Sequence, residues 1–242
     1  MNRSLTLTSH VTYGDIDRDE RQLLPRVFKM LQDAAIEHAN LFGTGTNAVA
    51  TRAESWVLNR IVVEIARYPR PGEALKVETW STGIKGFKGY RDFRVCDSGG
   101  RQVMTASSLW LYIRLASKSI VRVPREVADI FPIGEGVACC PELEQLPFDV
   151  PGSAATAVPV TLRYSDFDVN NHVNNAAYLD FVQTALARVG APKRPRQVRL
   201  KYAKEIPLDA DRVDVRVEQA GADAVFSVER DGVVFAVGRA LG

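Results

Sequence analysis

Apolar and polar positions fall into the same order twice along the chain. After an N-terminal stretch, "MNRSLTLTSHVTYGD", that begins to alternate like a strand, "LLPRVFKMLQDAAIEHANLFG" places Leu24, Val27, Phe28, Leu31, Ala34, Ala35, His38, Leu41 and Phe42 at helical spacing. Pro25 suits the first turn and Gly43 the stop. Strand-like segments follow at Trp56–Ile65, Ala74–Ser81, Gly89–Asp97 and Val103–Arg114, with "DSGG" turning the last hairpin. In the second half "NNAAYLDFVQTALARVG" puts Tyr178, Phe181, Val182, Ala185 and Val189 on one helical face, with Asn174 or Asn175 as cap and Gly190 as stop. Strands are predicted at Gln197–Ala203, Arg212–Gln219, Ala224–Glu229 and Val233–Arg239.

The repetition is also literal. "YGDID" (Tyr13–Asp17) returns 151 residues later as "YSDFD" (Tyr164–Asp168). Each half thus reads strand, helix, antiparallel meander, an α+β organisation in which one amphipathic helix packs on one sheet. The Gly-, Pro- and Ala-rich stretch between them divides the chain into residues 1–133, a linker 134–156, and residues 157–242. Pairing the halves would cover the open face or edge that a small sheet leaves.

Composition narrows the function classes. A net charge of +2 gives no electrostatic footprint for nucleic acid. No apolar run approaches the roughly 20 residues that span a bilayer, and the first residues lack a signal-type apolar core. Cys96, Cys139 and Cys140 form no disulfide framework, so the reading is a cytoplasmic protein in a reduced compartment.

The candidate chemistry lies in "DVNNHVNN", Asp168–Asn175. If the segment is extended, Asp168, Asn170 and His172 share one face while Phe167, Val169 and Val173 anchor the other. It would run into a helix N-terminus whose free N–H groups can hold an oxyanion, beside an imidazole that can move protons. Asp and Asn are equally common in plain turns and caps, and a lone histidine is more often structural. Against that bland reading stands the repeat, where Asp17, Asp19 and Arg21 occupy the matching positions, as if one half were active and the other adapted. There is no G-x-S-x-G elbow, no zinc spacing and no glycine-rich nucleotide loop.

"DFDVNNHVNNAAYLDFV", "SWVLNRIVVEIARYPRPGEALKVETW" and "LKYAKE" resemble blocks of the acyl-acyl carrier protein thioesterases of plant plastids and their bacterial relatives, over nearly the whole chain. The resemblance implies a double hot-dog fold and hydrolysis of fatty acyl-carrier thioesters, with no cofactor and no metal. It implies a catalytic set of Asp168, Asn170, His172 and Glu205, where Glu205 acts as base from a strand and Asp168 either orients its neighbours or attacks the carbonyl. The plant enzymes have a cysteine after that glutamate; here Ile206 stands there, which removes a thiol route. Aligning Pro69 with Pro207 sets Arg67 opposite Glu205.

The implied partner is an acyl carrier protein bearing an acyl-phosphopantetheine, with no nucleic acid and no membrane span; a homodimer is compatible. Two basic stretches, Lys85–Arg94 and Lys193–Lys204, could meet this acidic partner, and Lys193, Arg194 and Arg196 are the preferred docking residues; the bland reading is solvated charge. Phe28, Leu31 and Trp56 are candidates for an acyl slot in the first half, and read equally as ordinary core. Alternative functions are an acyl-coenzyme A thioesterase, a hot-dog dehydratase, or a non-catalytic acyl-thioester regulator, which would need an output element.

Overall fold

The chain builds the same strand order twice. The computed structural model describes residues 3–45, 53–134 and 139–242. It divides into two compact units, Met1–Gln22 with Lys29–Gln145, and Leu23–Phe28 with Leu146–Gly242. Residues 135–138, within the stretch read as linker, lie outside the described residues.

In the first unit β1 (Ser4–His10) pairs with β3 (Ala74–Lys85), followed in the sheet by β4 (Lys88–Asp97), β5 (Gln102–Arg114) and β2 (Glu54–Ile65), all antiparallel. A two-residue β6 (Ser119–Ile120) adds to β5, and the short α2 (Arg125–Ile130) follows. Helix α1 (Leu24–Asn40) sends its residues from Lys29 onward into this unit, where Leu31, Ala34 and Ala35 are buried. Strand β3 outruns its predicted end at Ser81. A register shift at Gly83, whose φ of 143° suits glycine, lets pairing resume as far as Lys85.

In the second unit β7 (Thr156–Thr161) pairs with β9 (Arg212–Ala220), then β10 (Asp223–Arg230), β11 (Val233–Leu241) and β8 (Gln197–Tyr202). Strand β7 starts at the last residue assigned to the linker, because Thr-Ala-Val-Pro carries too little alternation to announce a strand. Helix α3 (Ala177–Arg188) packs on β9, β10 and β7 and buries Tyr178, Leu179, Phe181, Val182, Ala185 and Leu186. It ends at Gly190, with φ 77° and the Ala191 N–H donating back to the Leu186 carbonyl at 2.9 Å. Apolar side chains of β8, β9 and β10 such as Leu200, Val213, Val215, Phe226 and Val228 complete this core. Among the described residues, no helix is long and apolar enough to cross a membrane.

The repeat extends to single hydrogen bonds. Thr12 N–H donates to Asp15 Oδ2 at 2.8 Å, and Arg163 N–H to Asp166 Oδ2 at 2.7 Å. Asp17 N–H donates to the Arg21 carbonyl at 2.8 Å, and Asp168 N–H to the His172 carbonyl at 3.1 Å. Glu20 and Asn171 take the same left-handed conformation, φ 57° and 59°.

Candidate functional site

The segment around His172 is a tight turn, not the extended strand that alternation suggests. Asp168 Oδ1 accepts the Asn170 N–H at 2.9 Å, the Asn171 N–H closes on the Asp168 carbonyl at 3.1 Å, and Phe167 bridges Val173. An aspartate that binds the amide two residues on, with an asparagine tolerant of positive φ, makes a compact turn cheaper than a strand here. The consequence is a different set of neighbours. Val169 points into solvent at 91% exposure instead of anchoring, and Asn170 is exposed at the turn's tip. Asp168 and His172 stay together at the base, 3.9 Å apart between Oδ1 and Nδ1. Asn174 joins them, its Nδ2 donating to Asp168 Oδ2 at 3.3 Å.

Asn174 also shapes the helix start. Its Oδ1 accepts the Ala176 N–H at 2.9 Å and its carbonyl the Ala177 N–H at 2.9 Å. These two amides are therefore occupied, and the cap residue itself is Ala176.

Glu205 reaches the turn from a loop. Strand β8 ends at Tyr202, and the chain that follows is docked by the Val173 N–H donating to the Ile206 carbonyl at 3.2 Å and by a bridge between His172 and Pro207. That leaves Glu205 Oε1 3.8 Å from His172 Nε2. On the other side of the ring, Nδ1 meets the Val173 carbonyl at 3.3 Å. A carbonyl only accepts, so Nδ1 carries a proton in this contact, and Nε2 is the ring nitrogen that faces Glu205. A half-buried imidazole with its basic nitrogen across a short gap from a carboxylate can receive and return a proton.

The first copy of the turn has none of this chemistry. Arg21 stands at the histidine position, and the hydrogen-bond register corrects the alignment that set Arg67 opposite Glu205. Gln22 N–H donates to the Pro69 carbonyl where Val173 N–H donates to that of Ile206, so the residue matching Glu205 is Tyr68. The proline match is misleading because the second half's proline, Pro207, falls one residue after Ile206, the position that pairs with Pro69. Arg67 is instead a structural cation, held by Glu73 at 2.7 Å and Asp97 at 3.0 Å.

Within the first unit a cavity opens, lined by Ala35, Ala39, Trp56, Arg91, Trp110 and Phe131 among others. Trp56 is part of its wall; Phe28 and Leu31 are buried core residues that do not line it. Arg91 is buried there, its Nη1 donating to His38 Nδ1 at 2.9 Å and Thr79 Oγ1 at 3.0 Å. Burial first, then the Arg91 charge, pushes the His38 imidazole down to about 4, so it is neutral and serves as acceptor to Arg91.

Of the candidate docking cations, Arg196 is exposed while Lys193 and Arg194 are half-buried. The rival basic stretch is largely engaged internally: Lys88 pairs with Glu144, Arg94 with Glu78, and Arg91 is buried. Among the described residues no cluster of three His, Cys, Asp or Glu side chains is placed to hold a metal ion.

Comparison with known proteins gives a consistent outcome. Residues 4–131 match the family model of the acyl-ACP thioesterase N-terminal domain, and residues 152–233 that of the C-terminal domain. The dodecanoyl-[acyl-carrier-protein] hydrolase of Cinnamomum camphora is 28% identical over 209 residues, covering 81% of this chain and 54% of the relative. The palmitoyl-acyl carrier protein thioesterase of Arabidopsis thaliana is 28% identical over 211 residues, covering 81% and 50%. The chain spans about half the length of the curated relatives it matches. In structure it is similar to the acyl-ACP thioesterase of Bacteroides thetaiotaomicron (TM-score 0.87, 22% identity, 99% of this chain and 98% of that one) and to the 12:0-ACP thioesterase of Umbellularia californica (0.87, 22%, 100% and 97%), which establishes the shared double hot-dog fold.

Proposed function

The chain belongs to the acyl-ACP thioesterase family, and on that footing we propose that it hydrolyses the thioester between a fatty acyl chain and the phosphopantetheine of an acyl carrier protein. The observation that carries the reading is the 3.8 Å gap between His172 Nε2 and Glu205 Oε1. Glu205 takes a proton from water as the water oxygen bonds to the thioester carbonyl carbon. The proton passes to His172 Nε2 and on to the sulfur as the carbon–sulfur bond breaks, releasing fatty acid and free carrier thiol. Asn170, at the tip of the same turn, orients the substrate carbonyl.

Asp168 orients and does not attack. Both its oxygens accept hydrogen bonds within the turn. Asp17 makes the matching bond to the Asp19 amide at 2.9 Å in a copy without an imidazole, which supports a turn-building role for the aspartate itself. Transfer of solvent ¹⁸O into the Asp168 carboxylate during a single turnover would overturn this choice.

The first unit holds the acyl chain in its cavity, with Trp56 as wall. Arg196, with Lys193 and Arg194 behind it, meets the acidic carrier, in the cytoplasm and with a second copy in a homodimer. The acyl-coenzyme A alternative uses the same residues and is separated by kinetics. The proposal expects kcat/KM for acyl carrier protein thioesters to exceed that for coenzyme A thioesters of the same chain, with the advantage shrinking at high salt as docking charges are screened. Equal values for both carriers, insensitive to salt, would defeat the carrier assignment.

A further inference from the structure

Glu205 is held on both sides by one hydroxyl from α3. Tyr178 Oη accepts the N–H of Ile206 at 3.2 Å and donates to the carbonyl of Lys204 at 3.4 Å, the two residues that flank the carboxylate in the chain. We infer that Tyr178 is a positioning residue, which sets Glu205 against His172 by clamping the loop from Lys204 to Ile206.

The internal repeat separates this role from a requirement of the fold. The first copy carries Val27 at the position of Tyr178 and Pro69 at the position of Ile206. Proline has no N–H, so nothing there asks for a hydroxyl partner. In the second copy both residues differ together: Ile206 exposes an amide in a fully buried position, and a tyrosine supplies the oxygen that receives it. The helix and the loop exist in both copies, whereas the clamp exists only in the copy that carries the histidine and the glutamate.

Nearby contacts keep the clamp itself fixed. The rings of Tyr178 and Tyr202 meet edge to face at 5.2 Å. Tyr202 Oη donates to the Asn175 carbonyl at 2.8 Å, at the far end of the segment that bears His172. Burial pushes the Tyr178 phenol well above its ordinary range, so the hydroxyl keeps its proton and can donate to Lys204 while accepting from Ile206. The two tyrosines thus tie the glutamate loop and the histidine turn to one helix start.

The inference rests on Glu205 being the base, and a double-mutant cycle distinguishes the two claims. Tyr178→Phe keeps the ring and its packing and removes only the oxygen. Misplacing a catalytic carboxylate by a fraction of an ångström should lower kcat roughly 10- to 100-fold while KM stays within about twofold. In the Glu205→Gln background, Tyr178→Phe should then change kcat less than about twofold, because there is no base left to position. An unchanged kcat in the single variant would overturn the inference, and so would an equal fall in both backgrounds, which is what a purely structural role gives. Wild-type turnover of Glu205→Gln itself would overturn the assignment of the base, and the clamp's purpose with it. Circular dichroism melting of all three variants confirms that folded protein is compared.

Discussion

His172 points Nε2 at Glu205 Oε1 across 3.8 Å while Nδ1 faces the Val173 carbonyl at 3.3 Å. The carbonyl holds a protonated Nδ1, and Nε2 is the ring nitrogen that faces the carboxylate of the loop after β8. Replacing either partner should act on chemistry. His172→Ala and Glu205→Gln are each expected to lower single-turnover hydrolysis of an acyl carrier protein thioester by at least about 10²-fold, the ordinary contribution of a general acid–base group. Carrier binding, measured separately, should persist. A folded variant of either kind that turns over near the wild-type rate removes that residue from the mechanism.

Arg67 provides the contrast. It lies in the copy without histidine and joins Glu73 and Asp97, which hold its guanidinium above its usual range. Arg67→Gln should leave the chemical step unchanged and cost stability by no more than about 1 kcal/mol, the scale of a half-exposed ion pair. A slowing of hydrolysis comparable to that of Glu205→Gln would show that the two copies share the chemistry.

Most of the fold is legible in the sequence because each half repeats its own period: helical spacing from Leu24, alternation from Arg212, glycine stops at Gly43 and Gly190. The site is legible only in composition. Alternation cannot reveal that Asp168 binds the Asn170 amide and folds the segment into a turn, since that choice is made by one side-chain hydrogen bond. The sequence reading puts Glu205 on a strand; the strand stops at Tyr202 and the loop is held instead by Val173 and Tyr178. The pairing of Tyr178 with Ile206 leaves a trace in the sequence, Val27 and Pro69 in the other copy, but only once hydrogen bonds fix the register.

The cysteines should be dispensable. Burial pushes the Cys139 thiol up, and its sulfur sits 3.2 Å from Ser107 Oγ in the first unit, while Cys140 is buried beside it. A thiol held protonated is a poor nucleophile. Cys139→Ala with Cys140→Ala should keep hydrolysis within about twofold of wild type, in line with the absence of any thiolate role. A large loss of rate in the folded double variant would revive a thiol route.

Gly89 tests the acyl slot. A Cβ at this position would lie 2.8 Å from Cζ3 and 3.0 Å from Cη2 of Trp56, so Gly89→Ala must displace the indole that walls the cavity. If the chain lies there, kcat/KM should fall several-fold more for long acyl groups than for short ones, consistent with the 1–3 kcal/mol that a pocket gains or loses on small steric changes. A uniform fall across chain lengths would place the acyl group elsewhere.

Asp92 yields a prediction about stability and pH. It stands on β4 opposite Ser107, is buried, and has one oxygen, Oδ2, without a hydrogen-bond partner. Burial raises its carboxyl to about 6, and the hydrogen bond from Ser107 opposes that only in part. A carboxyl whose folded pKa exceeds its unfolded value favours folding while protonated. That contribution is fully present below about 3.8, the unfolded value, and is lost as pH rises through about 6. At neutral pH the folded protein therefore carries a buried, partly unsatisfied carboxylate. Asp92→Asn removes the charge and keeps the shape, so the variant should be more stable than wild type at pH 7.5, by roughly 2–3 kcal/mol at most. The gain should shrink steadily as pH falls and vanish near pH 4. His38, pushed down to about 4, titrates in the same interval with the opposite sign, since its neutral form is the folded one and its contribution is lost as pH drops below about 6.5. That term is common to both proteins, so the difference between their urea midpoints at each pH isolates Asp92. A difference that stays flat from pH 4 to 8, or that grows toward acid, would show that Asp92 is not the group that titrates in this window.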